Sequence, residues 1–185
     1  MDMPQQTVVR YLSEARASED ALVRVLPSQI AMTPTGSYRS MLETHLEQTR
    51  EHSARVGERL QQLGEGSTSL RVVVGVWGDL LGQSLALSKA PFDLLRGTSG
   101  AEKVLKNAKD ACATEALEIA TYTAIEQLAR RAGDDQTAEL AASIRHDEEQ
   151  MLQRIRRELP TLADAVADVE LDGTPAQGAD GIPSR

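Results

Sequence analysis

This chain of 185 residues has few of the residues that several chemistries require. It has one cysteine, Cys112, which rules out an intrachain disulfide and a cysteine-based zinc site. It has only three histidines, which limits acid–base catalysis built on imidazole. The sequence also lacks a nucleotide-binding loop and a serine, histidine and aspartate set of the hydrolase type.

Aromatic residues make up 3% of the chain and apolar residues 41%. The core must therefore be built from Leu, Val, Ile and Ala, which suits packed helices better than a sandwich of sheets. No apolar run approaches the roughly 20 residues of a membrane span, and the start of the chain, MDMPQQTVVR, lacks the basic and apolar regions of a signal peptide. The net charge of −8 disfavours nucleic acid or an anionic membrane as a partner, because phosphate binding needs a cationic surface. We therefore expect a cytoplasmic protein that binds neither nucleic acid nor membrane.

One helical segment, Ala101 to Ala132, organises the chain. Every third or fourth residue along it is apolar, the pattern of a helix packed in a bundle. Glu115 and Glu118 interrupt this seam near its middle. An ionised carboxylate in a core is costly unless a positive charge compensates it. Either the seam is displaced by one residue and these side chains face solvent, or a cation lies beside them.

Four further helices are predicted on the same grounds. They cover about Thr7 to Ile30, Tyr38 to Leu63, Leu70 to Lys89 and Gln136 to Leu159.

The ends of these helices follow from turn and breaker residues. Ser37 is expected to cap the second helix. Pro160 is expected to end the fifth, with a short helical piece from Thr161 to Glu170 and a flexible tail from Leu171 to Arg185. Long helices with short turns predict one all-α domain over residues 1–170, an antiparallel four-helix bundle with an additional helix. That additional helix, the third, is apolar on more than one face, which indicates burial or a subunit interface.

Polar residues at seam positions of different helices are expected to lie at one level. In a helical hairpin, residues equally far from the turn face each other. Glu19 of the first helix then lies level with Thr49, within a turn of His52. Glu118 lies within a turn of Glu148 of the fifth helix by the same argument.

The candidate site is therefore a mid-bundle cluster. Its predicted members are Glu19, His52, Glu115, Glu118 and Glu148. Four carboxylates with a single weak base cannot all stay ionised in a core without a cation. Two divalent metals would supply that charge, and oxygen-rich ligation with one imidazole suits iron or manganese better than structural zinc.

Three segments carry a family resemblance: YLSEARASEDALVRVLP, HLEQTREHSARVGERLQQLG and CATEALEIATYTAIEQLARRAGDDQTAELAASIRHDEEQMLQRI. Together they are similar to the ferritin-like di-iron carboxylate bundles, and more specifically to the YciE/YciF-like branch, over about residues 7–63 and 101–159. The resemblance implies a ferritin-like fold, frequent dimerisation and a link to stress. It also implies metal ligation by the matching residues Glu19, His52, Glu115, Glu118 and Glu148.

Three positions depart from the pattern of that family. Gln48 stands where the second helix usually has an inward carboxylate, and Ala116 stands where the fourth helix often has histidine. Met151 replaces the histidine that would complete a Glu-x-x-His pair with Glu148. The implied site therefore lacks an imidazole and a carboxylate, which bears on oxidase chemistry more than on metal binding.

Other single residues have competing interpretations. His45 is expected to be a hydrogen-bonded core histidine rather than a ligand. Asp147 competes with Glu148 for the inward position. Tyr122 is expected to pack in the core, with donation to a carboxylate or a redox role as the alternatives.

Two functions follow from these observations. The first is a ferritin-like protein that binds two metals per chain, iron or else manganese, with oxidase, peroxidase or iron-handling activity towards small oxidants. The second is a degenerate bundle that acts as a non-catalytic scaffold, with the apolar third helix as a homodimer interface. A docking role for the tail is a third, weaker hypothesis.

Overall fold

The computed structural model describes residues 3–64 and 100–172. These residues form four helices: α1, Met3–Met32; α2, Ser37–Gln62; α3, Gly100–Arg131; and α4, Asp135–Asp172. The predicted all-α four-helix bundle is confirmed. The additional predicted helix, with the proposed homodimer interface, lies outside the described residues. Within those residues, no helix is both long enough and apolar enough to cross a membrane.

Two apolar layers define how the helices run. One layer joins the first half of α1 to the second halves of α2 and α3 and the first half of α4; it includes Val8, Leu12, Val56, Leu60, Ile125, Ala129, Ala138 and Ile144. The other joins the second half of α1 to the first halves of α2 and α3 and a later part of α4; it includes Leu22, Leu26, Leu42, Leu46, Val104, Ala108, Met151 and Ile155. We call them the first and second apolar layers. Helix α1 is therefore antiparallel to both α2 and α3, and a level of the bundle remains between the layers.

The turn between α3 and α4 is fastened to α2. Gly133 has φ 71°, a left-handed conformation that glycine adopts without steric cost. Asp134 caps α4 by accepting a hydrogen bond from the Thr137 backbone N–H at 3.0 Å. The Arg59 guanidinium of α2 lies 2.6 Å from the same carboxylate. This ion pair fixes the end of α2 against the start of α4.

Pro160 does not end the last helix, contrary to the prediction. Helix α4 continues through it to Asp172. Leu159 and Leu162 on either side of the proline both pack against the second apolar layer. Their burial opposes the loss of one backbone hydrogen bond at an exposed proline. The separate piece predicted from Thr161 is therefore part of α4.

Two boundary expectations also change. Ser37 is the first residue of α2, with Gly36 at the N-cap and no side-chain cap. Its hydroxyl instead donates a hydrogen bond to Glu158 of α4 at 3.0 Å. Leu171 and Asp172, expected to begin the tail, belong to α4, and the tail from residue 173 lies outside the described residues.

The helical placement of Pro160 can be tested by Pro160→Ala. Alanine restores the backbone N–H and favours the helix, so we expect unfolding free energy to rise by about 1 to 2 kcal/mol after the entropy of the unfolded chain is allowed for. Urea unfolding followed by circular dichroism measures the change. Arg157→Ala, at another exposed position of α4, is the control and should change stability by less. A loss of stability in Pro160→Ala would show that the helix does not pass through this residue.

Candidate metal centre

The level between the two apolar layers is filled by six ionisable side chains. Each is at most 3% exposed: Glu19, His45, His52, Glu115, Glu118 and Glu148. On every helix they continue the inward seam that supplies the apolar layers, because residues three or four apart share a face. The structure therefore brings together all five residues selected from the sequence and adds His45.

One group of potential ligands consists of Glu19, His52 and Glu148, whose ligand atoms lie within 4.8 Å of one another. His52 Nδ1 is 2.8 Å from Glu148 Oε1 and 3.8 Å from Glu19 Oε1. Tyr122 donates its hydroxyl hydrogen to Glu19 Oε1 at 2.6 Å. Tyr122 therefore does more than pack, since it orients one of the carboxylates.

A second group consists of His45, Glu115 and Glu148, with ligand atoms again within 4.8 Å of one another. His45 Nε2 lies 3.1 Å from Glu115 Oε1. Glu148 belongs to both groups. Because a carboxylate has two oxygens, it can ligate two cations at once, so the arrangement is that of two adjacent sites with a shared ligand.

Glu118 is buried beside these groups but belongs to neither of them. Its Oε1 accepts a hydrogen bond from Ser18 at 3.3 Å. Its other oxygen faces no hydrogen-bond partner among the described residues. Of the five predicted ligands, Glu118 is the one that lies outside both groups.

The second ring nitrogen of His52 faces Asp147. His52 Nε2 is 3.3 Å from Asp147 Oδ2, and the Asp147 side chain is 33% exposed. Asp147 therefore does not replace Glu148, as the sequence allowed; the two carboxylates lie on opposite sides of the imidazole. A proton on Nε2 leaves the Nδ1 lone pair directed at Glu148 and Glu19, the form that a metal ligand requires.

His45 is a buried histidine beside a carboxylate, as expected, but it is also a potential ligand that the sequence analysis did not select. Its spacing of seven residues from His52 places both on one helix face, and that was the signal available. The inward residue between them is Thr49, which is fully buried and donates its hydroxyl to the His45 carbonyl at 2.9 Å. Gln48 is only half-buried, so its identity affects the site less than expected.

The other two departures from the family pattern, Ala116 and Met151, differ in their burial. Ala116 is exposed, so a histidine there would not reach the cluster. Met151 is 1% exposed and lies in the second apolar layer. Of these two replacements, only Met151 removes a potential inward ligand.

Burial controls the protonation of three of the carboxylates. It raises the pKa of Glu19 to about 8, with the charge of Glu148 adding to the effect. It raises the pKa of Glu115 to about 7, against the opposing influence of His45. Burial and then the charges of Glu19 and Glu148 raise the pKa of Glu118 well above its ordinary value. Without metal, Glu19 is mostly protonated at neutral pH and Glu115 is close to half-protonated.

The remaining three groups favour their charged forms. Burial alone would raise the pKa of Glu148, but neighbouring His52 and Glu115 outweigh it and lower that pKa. Burial alone would lower the pKa values of His45 and His52, but the carboxylates beside them outweigh it and raise both. In the metal-free cluster, the carboxylates thus favour the protonated form of both histidines, and the histidines favour the ionised form of Glu148.

Hydrogen bonds do not satisfy this cluster. Five buried atoms of the cluster have no hydrogen bond of acceptable geometry among the described residues, although two of them, His52 Nδ1 and Glu148 Oε1, lie 2.8 Å apart: Glu19 Oε2, His52 Nδ1, Glu115 Oε2, Glu118 Oε2 and Glu148 Oε1. An unsatisfied buried polar group costs roughly 1 to 3 kcal/mol. All five are atoms of the types that bind divalent cations. Two ligands of one such ion are at most about 4.4 Å apart, and the ligand atoms of each group lie within 4.8 Å of one another. The donor set therefore fits a pair of such ions.

A buried carboxylate elsewhere in α3 provides a contrast. Glu126 is 9% exposed and pairs with Arg130 at 2.7 Å and Arg145 at 3.4 Å. Its hydrogen bond from Arg130 and the nearby arginine charges lower its pKa despite burial. Within residues 3–64 and 100–172, the ion pairs of the clustered carboxylates are all with histidine. The cluster thus lacks the arginine partners that stabilise an ordinary structural carboxylate.

Comparison with known proteins supports the fold. Residues 92–168 match the family described as a domain of unknown function, DUF892; this segment includes α3 and most of α4 and is less than half of the chain. No curated protein sequence matches the chain.

Three solved structures share the architecture. A protein of Xanthomonas campestris is 20% identical, with a TM-score of 0.71, and the alignment covers 92% of this chain and 99% of that one. YcfI of Rhodopseudomonas palustris is 16% identical, with a TM-score of 0.70 and coverage of 84% and 94%. The Escherichia coli stress protein YciF is 19% identical, with a TM-score of 0.68 and coverage of 89% and 99%. The expected likeness to YciF is therefore confirmed for the fold.

The protonation of the cluster predicts how stability depends on pH in chelator. Glu19 and Glu115 have pKa values raised from 4.5 to about 8 and about 7, and both histidine pKa values are raised. Their stabilising contributions are present at low pH and lost as pH rises through the folded pKa values. The pKa of Glu148 is lowered, so its stabilising contribution is lost only as pH falls below about 4.5. We expect the unfolding free energy of the metal-free protein to fall between about pH 5 and pH 8, measured by urea unfolding.

Glu118→Gln provides a direct check on the source of this dependence. Glutamine stays neutral at every pH, so this variant should lose less stability than the native protein over the same range. Glu126→Gln is the matched control, since its pKa is lowered rather than raised. A native profile that is flat or rises with pH would contradict the assignment.

Proposed function

We propose that this protein is a ferritin-like metal-binding protein that holds two divalent ions per chain, iron or else manganese, between its apolar layers. The main support is the set of buried ligand atoms without hydrogen-bond partners, arranged in two groups that share Glu148. An interior that buries these carboxylates without arginine or lysine partners in the described ranges is best compensated by metal.

Five of the six clustered residues act as ligands in this proposal. Glu19 and His52 would hold one ion and His45 and Glu115 the other, with Glu148 between them. Bound iron would supply one-electron redox chemistry towards small oxidants, which is the reason to propose a role in stress protection. Because Glu19 and Glu115 hold protons near neutral pH, binding would release protons and strengthen as pH rises.

Metal stoichiometry tests the proposal. Protein purified without chelator and loaded anaerobically with Fe(II) should hold about two ions per chain by elemental analysis. Glu148→Gln should lose both ions, since both groups share this residue. Glu19→Gln and Glu115→Gln should each reduce the content to about one.

Glu126→Gln is the control for these substitutions, because Glu126 is a buried carboxylate with arginine partners. It should retain the native metal content. If the native protein holds no metal after loading, or if Glu148→Gln holds as much as the native chain, the cluster is not a di-metal site.

Asp147→Asn tests the support of His52. Loss of the carboxylate charge beside Nε2 should weaken the ligand at Nδ1 and reduce metal affinity by roughly 10- to 100-fold. Competition with a chelator of known affinity measures this change. Glu139→Gln, at an exposed position of the same helix, should bind like the native protein. Equal affinities in Asp147→Asn and the native chain would show that Asp147 does not act through His52.

A second candidate function is a non-catalytic scaffold, as a homodimer. It is favoured by Met151, which is buried where an imidazole ligand would complete the site. It is also compatible with the protonated, metal-free form of the cluster. The same loading experiment separates the two proposals, because a scaffold needs no metal.

A further inference from the structure

A cavity of about 200 Å³ leads from the surface to the candidate metal centre. Its outer wall includes Arg24 and Ser28 of α1 and Asp110 of α3, all of which are exposed. Its inner wall includes His45 and Glu115, which are 3% and 1% exposed. The cavity therefore connects polar surface residues with two potential ligands in the core.

The two groups of ligands differ in their relation to this cavity. His45 and Glu115 line it, whereas Glu19 and His52 do not. Glu115 is fully buried, and its Oε2 has no hydrogen-bond partner among the described residues. Glu19 instead accepts the hydrogen bond from buried Tyr122. Of the two positions, the cavity therefore borders the one formed by His45 and Glu115.

We propose that this cavity is the access route and binding site for small ligands of the ion held by His45 and Glu115. This inference rests on the proposed metal-binding function and adds which ion meets incoming molecules.

The size and walls of the cavity define the chemical class of ligand. Its volume is well above the roughly 10 to 15 Å³ that one water molecule needs, yet below the roughly 300 Å³ of a pocket for a drug-sized ligand. Leu22, Leu26 and Leu42 form apolar parts of the wall. It therefore suits compact molecules of a few atoms that bind a metal through oxygen or nitrogen, and a small hydrated cation on its way to the site.

Ala111→Phe is designed to obstruct this route. Ala111 lines the cavity and is half-buried, so a benzyl group there would occupy part of its space. Ala116→Phe is the matched control, because Ala116 lies on the same helix but is exposed and outside the cavity wall. The probes are Co(II), followed by its visible absorption during loading, and azide, titrated against the cobalt-loaded protein.

We expect native protein and Ala116→Phe to take up about two Co(II) ions at similar rates. In Ala111→Phe, the rate of cobalt loading at the position of His45 and Glu115 and the affinity for azide should each fall by about tenfold or more. The reason is that the added ring clashes with the incoming group. Loading rate and azide affinity are binding measurements, so they do not depend on any catalytic activity.

The outcomes separate this inference from the proposed function. If native protein binds no cobalt, metal binding itself is wrong. If native protein binds two ions and Ala111→Phe matches it in both loading rate and azide affinity, metal binding stands and the access route is wrong.

Val25→Ala provides the reciprocal test if the larger side chain prevents folding. Val25 is a half-buried part of the cavity wall, so its truncation widens the passage. Faster cobalt loading and unchanged stoichiometry would support the route, whereas an unchanged loading rate would overturn it.

Discussion

The electrostatic cost of burying four carboxylates at one level is the constraint on which this structure depends. Glu19, Glu115, Glu118 and Glu148 are each at most 2% exposed. Their repulsion can be relieved by protons, by imidazolium or by metal, and the two histidines can neutralise only part of it. The apolar layers on either side must therefore hold the helices together against this unfavourable centre. Fully buried aliphatic side chains, at about 1.5 to 3 kcal/mol each, provide that stabilisation.

In the proposed function, protons and metal ions are alternatives within this cluster. The metal-free form keeps hydrogen on carboxylates that would have to lose it to bind a cation. The same desolvation that raises these pKa values also strengthens the attraction for a divalent ion, because both effects come from the low dielectric of the interior.

The two ends of the cluster differ because the helices around them differ. Tyr122 and Ser18 each donate a hydrogen bond to one oxygen of Glu19 and Glu118 on one side. On the side of His45 and Glu115, the cavity between α1 and α3 approaches the ligands. The shared fold of proteins that are only 16 to 20% identical to this chain shows how widely the bundle itself tolerates substitution. Differences among such proteins can therefore lie in what surrounds the central cluster.

The sequence by itself determined the helices and most of the inward polar residues. The periodic seam of each helix is a local property, so a glutamate that interrupts it, such as Glu115, can be identified before any packing is known. Composition and the short turns were sufficient to predict a helical bundle. The turn residues also placed each hairpin closely enough to bring Glu19 within about a turn of His52 and Glu118 within about a turn of Glu148.

Only the tertiary structure decided which side chains meet. Glu19 faces His52, about one turn beyond the Thr49 expected from hairpin arithmetic, because packing sets the helix register. The approach of His45 to Glu115, and of Asp147 to the outer nitrogen of His52, depends on contacts between helices that are distant in sequence. Helix α4 passes through Pro160 because the partly buried leucines on both sides pack against the second apolar layer, a tertiary gain that local propensity does not include. The cavity at one end of the cluster has the same origin, since it is a space between helices and belongs to no single segment of the chain.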